Sequence, residues 1–174
     1  DDRYTRLYSE AADGGYHGAE QITALPGSGF TADELSHIGP GLLIDSTQDQ
    51  PIMLLSESLF LQAEAMVRGY IAGGNTAAEA LYNSAIEESF TYLGVPDAVV
   101  AAQTYYAQAI NNVSWASSTD KIEAIITQKW VALNSTNAIE SWIELTRTGF
   151  PSALPIPVES DGLRPVTLLY QSPE

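Results

Sequence analysis

From Pro51 onward the apolar positions of this chain recur at helical spacing. Leu54, Leu55, Ser58, Leu59, Gln62, Ala63, Met66 and Tyr70 form a largely apolar stripe at i, i+3 and i+4, and Gly73-Gly74 closes it. Thr76-Ala77-Ala78-Glu79 has the form of a capping box, which predicts a second helix running to about Leu93. Its inner face would be Ala80, Leu81, Ala85, Ile86 and Phe90, with Gly94 and Pro96 as the stop. A third helix is predicted from about Pro96 to Ile110, followed by the loop Asn111–Ser118. The fourth begins near Thr119, where Asp120 and Glu123 suit the positive end of the helix dipole, and carries Ile122, Ile125, Ile126, Trp130 and Leu133. Asn137-Ala138-Ile139-Glu140 opens a fifth, ending near Arg147.

The flanks lack this period. In residues 1–50, glycine and proline punctuate the chain at Asp13-Gly14-Gly15, Pro26-Gly27-Ser28-Gly29 and Gly39-Pro40-Gly41. Gln21–Leu25 and Leu42–Ile44 are short enough to pair as small strands. Beyond Pro151, prolines at 155, 157, 165 and 173 forbid a long helix. The expectation is an all-α fold of helical hairpins: an irregular arm over 1–50, a helical core over 51–151 and an irregular tail over 152–174. Small residues around Ala63-Glu64-Ala65 and at Ala80 and Ala85 give the hairpins a tetratricopeptide flavour without a strict repeat.

Composition narrows the function. Seven Lys and Arg against 22 Asp and Glu leave a formal charge of -15 over 174 residues, so no basic cluster exists to displace counterions from nucleic acid. Anionic membrane surfaces are disfavoured for the same reason. No apolar run reaches the ~20 residues that span a bilayer. Cysteine is absent, which excludes disulfides and thiolate chemistry within this sequence. The start at Asp1-Asp2-Arg3, without Met or a signal peptide, suggests a processed or trimmed chain.

Candidate chemistry is sparse. His17 and His37 both lie in the glycine-rich arm, and Pro26-Gly27-Ser28-Gly29 lacks the spacing of a nucleophile elbow. Glu87 and Glu88 diverge on one helix, while Glu57 and Glu64 sit beside packed residues, so no pair of acids faces a cleft. Asp45-Ser46-Thr47-Gln48-Asp49 offers two carboxylates, but not the acid count, central glycine or closing Glu of a calcium loop; a solvated turn is the simpler reading. Nothing calls for a cofactor, and the expectation is a non-enzyme.

Aromatic residues remain, because flat rings stack on the C–H faces of sugars and on peptide side chains. Trp130 and Trp142 fall among aliphatics at helical spacing and are expected to pack together in the core. Trp115 sits in a Ser/Asn-rich loop and is expected at an exposed rim, as the first ligand-contact candidate. Tyr16 is the second, with Tyr4, Tyr8 and Phe30 nearby in the arm. Arg147, in the last turn of its helix, is expected to be structural and to pair with Glu144 or Glu140.

Several blocks occur in an order that resembles the SusD/RagB family. Asp2-Arg3 looks like the end of that family's "DPR", and Gly15-Tyr16-His17-Gly18 like the turn that follows it. Leu59-Phe60-Leu61-Gln62-Ala63-Glu64-Ala65 is similar to its "F-L-x-AEA" helix, and Tyr82-Asn83-Ser84-Ala85-Ile86 to the partner helix. Gln128-Lys129-Trp130, Glu140-Ser141-Trp142 and Arg147-Thr148-Gly149-Phe150-Pro151 follow, and Arg164–Glu174 resembles the closing block, with Gln171 where proline is usual. The resemblance implies tetratricopeptide-like helix pairs and a surface lipoprotein of the bacterial outer membrane. It also implies capture of an oligosaccharide or oligopeptide for a SusC-like TonB-dependent transporter. By the same resemblance these blocks are scaffold, the anchoring Cys and the N-terminal helices lie outside this sequence, and the ligand site varies between members. A glycan ligand leads; an oligopeptide, a purely protein-binding helical scaffold and an uncharacterised hydrolase are the alternatives.

Overall fold

A computed structural model describes residues 1–19 and 31–156. The sequence features at Gln21–Leu25, Pro26–Gly29, Phe30, Pro157, Arg164–Glu174 and their prolines lie outside the described residues. Among those described the architecture is all-α: α1 (Tyr4–Leu7), a 3-10 turn (Ala32–Glu34), α2 (Leu55–Val67), α3 (Gly74–Tyr92), α4 (Ala98–Tyr106), α5 (Lys121–Leu133) and α6 (Ala138–Thr148). The helices expected between Pro51 and Arg147 are therefore α2 to α6. Helices α2 and α3 share the largest interface, α4 packs on α3, and α5 lies against α2 and carries α6.

Local chemistry explains most of the boundaries. Asp120 caps α5 by accepting from the backbone N–H groups of Ile122 (2.8 Å) and Glu123 (3.1 Å). Helix α6 ends at Gly149, whose left-handed φ of 78° suits glycine best. Helix α3 starts earlier than expected: Gly74, Asn75 and Thr76 are already helical, so Thr76 is not its cap. Helix α4 stops at Tyr106, short of the expected Ile110. Leu42–Ile44 is not a strand. The arm's sole β-pairing among the described residues is an isolated bridge between Tyr8 and Ile38. There Gly39 approaches so closely that a Cβ would stand 2.5 Å from the Arg6 carbonyl oxygen.

The core is built from Phe60 and Ala63 of α2, Ala78, Tyr82, Ala85, Ile86 and Phe90 of α3, and Ala124, Ile125 and Ala132 of α5. Alanines at the crossing points let the helices approach, and the rings fill the space between. The predicted stripe on α2 was rotated: Leu55 and Tyr70 are exposed, whereas Ser56, Glu57, Phe60, Ala63 and Glu64 are buried. The two glutamates, read beside packed residues, turn out to be buried themselves. Their burial becomes intelligible through the cations they meet.

Candidate binding site

Two polar clusters hold the scaffold together. In the first, Lys129 of α5, only 2% exposed, donates to Glu144 of α6 at 2.6 Å and stands 3.9 Å from Glu57 of α2. Arg147 of α6 grips both carboxylate oxygens of Glu64 at 2.7 Å each and also donates to Glu144. Arg68 closes on Glu64 at 2.6 Å. Three acids and three bases thus alternate across α2, α5 and α6. Burial works to raise the Glu64 carboxyl, but hydrogen bonds from Arg147 and Arg68 outweigh it and hold the group below its ordinary value. The bond to Glu64 contributes most to lifting Arg147 above the usual guanidinium range. Glu57 goes the other way: burial raises it, Lys129 offsets only part, and its Oε2 finds no partner.

The second cluster surrounds Arg3, which is 0% exposed. Its guanidinium donates to Asp1 (2.9 and 2.7 Å), to Ser89 (2.8 Å) and to Gln128 (3.0 Å). It lies over the rings of Phe90 (4.8 Å) and Tyr105 (5.0 Å). Desolvation brings its pKa down to about 10, still charged at neutral pH. This arginine fastens the arm to α3 and α5, and Arg6 adds a bond to the Leu93 carbonyl at the C-terminal end of α3 (3.0 Å). Lys121 donates to the carbonyls of Trp115 and Ser118. Each of the six described Lys and Arg side chains is thus bonded to an acceptor of this same chain.

Against that scaffold the predicted contact residues separate. Trp115 is not at a rim. It is 6% exposed, and its ring stands 5.3 Å from Tyr82, which in turn meets Phe60 at 6.0 Å. The surrounding loop bonds many of its own polar groups: Ser118 Oγ donates to Ser114 O (2.7 Å) and accepts from Asn112 N (2.9 Å). A self-bonded polar loop can fold over a core, so its composition misled the expectation of exposure. Trp130 and Trp142 do come together and are mostly buried, as expected, lining an open cleft of about 220 Å³ with Asn134, Ser141 and Leu145.

Tyr16 is 37% exposed, on the surface as expected. It meets Tyr4 edge-on, with centroids 4.7 Å apart at 84°. With Tyr8, His17, Gly18 and Ser36 it lines a cavity of about 260 Å³. The helical turn of α1, locked by Arg3, places Tyr4 and Tyr8 beside the Gly14-Gly15 turn that carries Tyr16 and His17. A third cavity, about 230 Å³, lies between the acidic turn at Asp45–Pro51 and the α5–α6 connection, with Tyr92 in its wall. Asp45 there accepts from the backbone and hydroxyl of Thr47 (2.7 and 2.6 Å), which holds its carboxyl below the ordinary range.

Rings, hydroxyls and amides at the mouths of shallow cavities can stack on a ligand and orient it. Arg147 is structural in its contacts, as expected, pairing with Glu144 and additionally with Glu64. Sequence reasoning missed that second partner, Lys129 and the Arg3 cluster. Their signal was present as the glutamates inside an apolar stripe. Among the described residues no helix is long and apolar enough to cross a membrane, and no group of His, Asp and Glu is arranged to hold a metal ion. Comparison with known families matches residues 2–170 to a family model described as SusD-like, starch-binding and associating with the outer membrane. No curated protein and no solved structure gives a significant match.

Proposed function

The chain belongs to the SusD-like family, and from that premise we propose that it binds a glycan without transforming it, at the bacterial outer-membrane surface. On this reading it is part of a surface lipoprotein that hands its ligand to a SusC-like TonB-dependent transporter, with the helix pairs as a tetratricopeptide-like frame. The observation that carries the reading is the family match across residues 2–170, whose description names starch. The exposed tyrosines around Tyr16 support it, since they offer ring faces to neutral sugars. The engagement of the six described cations within the chain argues against polyanionic ligands.

The test is affinity electrophoresis through gels containing soluble starch, with an oligopeptide screen in parallel and reducing-end analysis of the recovered starch. Starch should retard the protein, retard Tyr16→Ala less, and come back with no new reducing ends. Mobility indifferent to starch would sink the glycan reading. Capture of peptides instead would favour the oligopeptide alternative.

A further inference from the structure

Helix α6 is fastened to the bundle by charge more than by apolar contact. Glu144 is its one fully buried residue; Ile139 and Ile143 are exposed, and Trp142 and Leu145 border the open cleft against α5. Among the described residues its backbone packs on α5 alone, and it reaches α2 through long charged side chains, Arg147 to Glu64 and Glu144 by way of Lys129. A helix that buries so little apolar surface depends on its ion pairs to stay in place. Those pairs are short of cations. Glu140 of α6 is a fourth acid facing the cluster, so Glu57, Glu64, Glu140 and Glu144 share Lys129, Arg68 and Arg147. Lys129 spends its close bond, 2.6 Å, on Glu144 and stands 3.9 Å from the buried Glu57, beyond hydrogen-bond reach. Glu57 is faced from α5 by Lys129, from α6 by Glu140 and Glu144, and from the connection between them by the Asn137 side chain. On the far side of α2, α3 meets that helix through Tyr82 against Phe60.

From this arrangement we infer that α6 is a pH-set flap: a proton on Glu57 relieves the crowding of acids and lets the helix lie down, whereas ionised Glu57 repels Glu140 and Glu144 and lets it lift, widening the tryptophan cleft. The inference needs no ligand and stands apart from the glycan reading. Its sign follows from what lifting does. Glu57 then gains water, loses both facing acids and has Lys129 free to pair with it, so the lifted form holds the proton less tightly. The balance between the forms shifts by as much as their proton affinities differ. Docking is therefore favoured as pH falls through the raised Glu57 value. Further down, protonation of Glu64, whose carboxyl lies below its ordinary value, releases Arg147 and loosens the helix again. The flap is tightest between the two titrations. The short turns at Asn134–Asn137 and Gly149 are where the rotation is absorbed.

The test is acrylamide quenching of tryptophan emission from about pH 3 to about pH 9 on the parent, Glu57→Gln and Glu140→Gln, each checked for fold by circular dichroism. Trp115 is buried in the core, so changes report on Trp130 and Trp142 at the cleft. Parent quenching should pass through a minimum and rise on its alkaline side. Glu57→Gln fixes the neutral form and should lose the alkaline rise while keeping the acid one. Glu140→Gln, a partly exposed position that serves if the first variant fails to fold, should move the alkaline rise down by about 0.2–0.7 of a pH unit. Parent quenching that stays flat above the acid limb would overturn the flap. So would an alkaline rise that persists in Glu57→Gln, or one that Glu140→Gln leaves unmoved.

Discussion

Replacing Lys129 by Met should destabilise the fold by about 3 kcal/mol, the low end of the ~3–5 kcal/mol cost of removing one partner from a buried ion pair. The structure sets where in that range the loss falls. Glu144 loses a 2.6 Å bond but keeps Arg147, whose side chain is 42% exposed and so supplies a partly screened charge. Glu57 has less reserve: Lys129, at 3.9 Å, is its sole salt-bridge partner among the described residues, and otherwise only the Asn137 side chain favours its charged form. Its carboxyl would therefore be pushed further up. Because Glu57 is already raised in the fold by burial, stability of the variant should increase as pH falls through that raised value, the opposite of a paired carboxylate. A 3 kcal/mol loss corresponds to a melting point lower by roughly 6–12 °C for a chain of this size. Urea denaturation across pH, on the variant with and without Glu57→Gln, measures both effects. The second substitution should recover part of the loss only when Lys129 is gone. A change within about 0.5 kcal/mol, or no coupling between the two sites, would refute the role assigned to this lysine.

Arg3→Met should cost about 2–4 kcal/mol in the same denaturation assay, since Ser89 and Gln128 lose their buried donor; an unchanged midpoint would show the arm is held otherwise. Glu64→Gln should cost about 1–2 kcal/mol at neutral pH, discounted because Arg147 and Arg68 are partly exposed. Glu64 is lowered in the fold, so its contribution is full above the unfolded carboxylate value and is lost as pH falls through the folded one. The variant's acid limb should accordingly be flatter than the parent's. Trp115→Ala should cost about 3–5 kcal/mol by opening a cavity against Tyr82, read by thermal melting, and a stable variant would return Trp115 to the surface.

How much was legible in the chain depends on how local the signal was. Helices announced themselves through apolar period and through caps such as Asp120 and Gly149, which act within a few residues. Faces were harder. Glu57 and Glu64 read as acids beside packed residues, but their partners Lys129 and Arg147 stand on α5 and α6, far off in sequence. Trp115 was misplaced by the same blindness, since the ring it packs on belongs to Tyr82, on another helix. Tyr16 lies at the surface, as expected, because a ring beside two glycines has little local apolar company to bury it. The sharing of Ser135 by the tryptophan cleft and the acidic-turn cavity left no trace in sequence, for it depends on where the acidic turn comes to rest.

The internal engagement of the described cations has a consequence for how the molecule meets charged neighbours. With Arg3 and Lys129 sealed inside, and Arg6, Arg68, Lys121 and Arg147 bonded to carbonyls or carboxylates, the surface of the described residues is predominantly negative. Such a field extends only about 8 Å at physiological ionic strength, so it acts between close neighbours and fades beyond. Copies crowded on a membrane would hold one another apart, and polyanions shed nearby would be turned away. A neutral glycan feels none of this. On the proposed reading, its binding would keep the same strength in dilute and in salty surroundings.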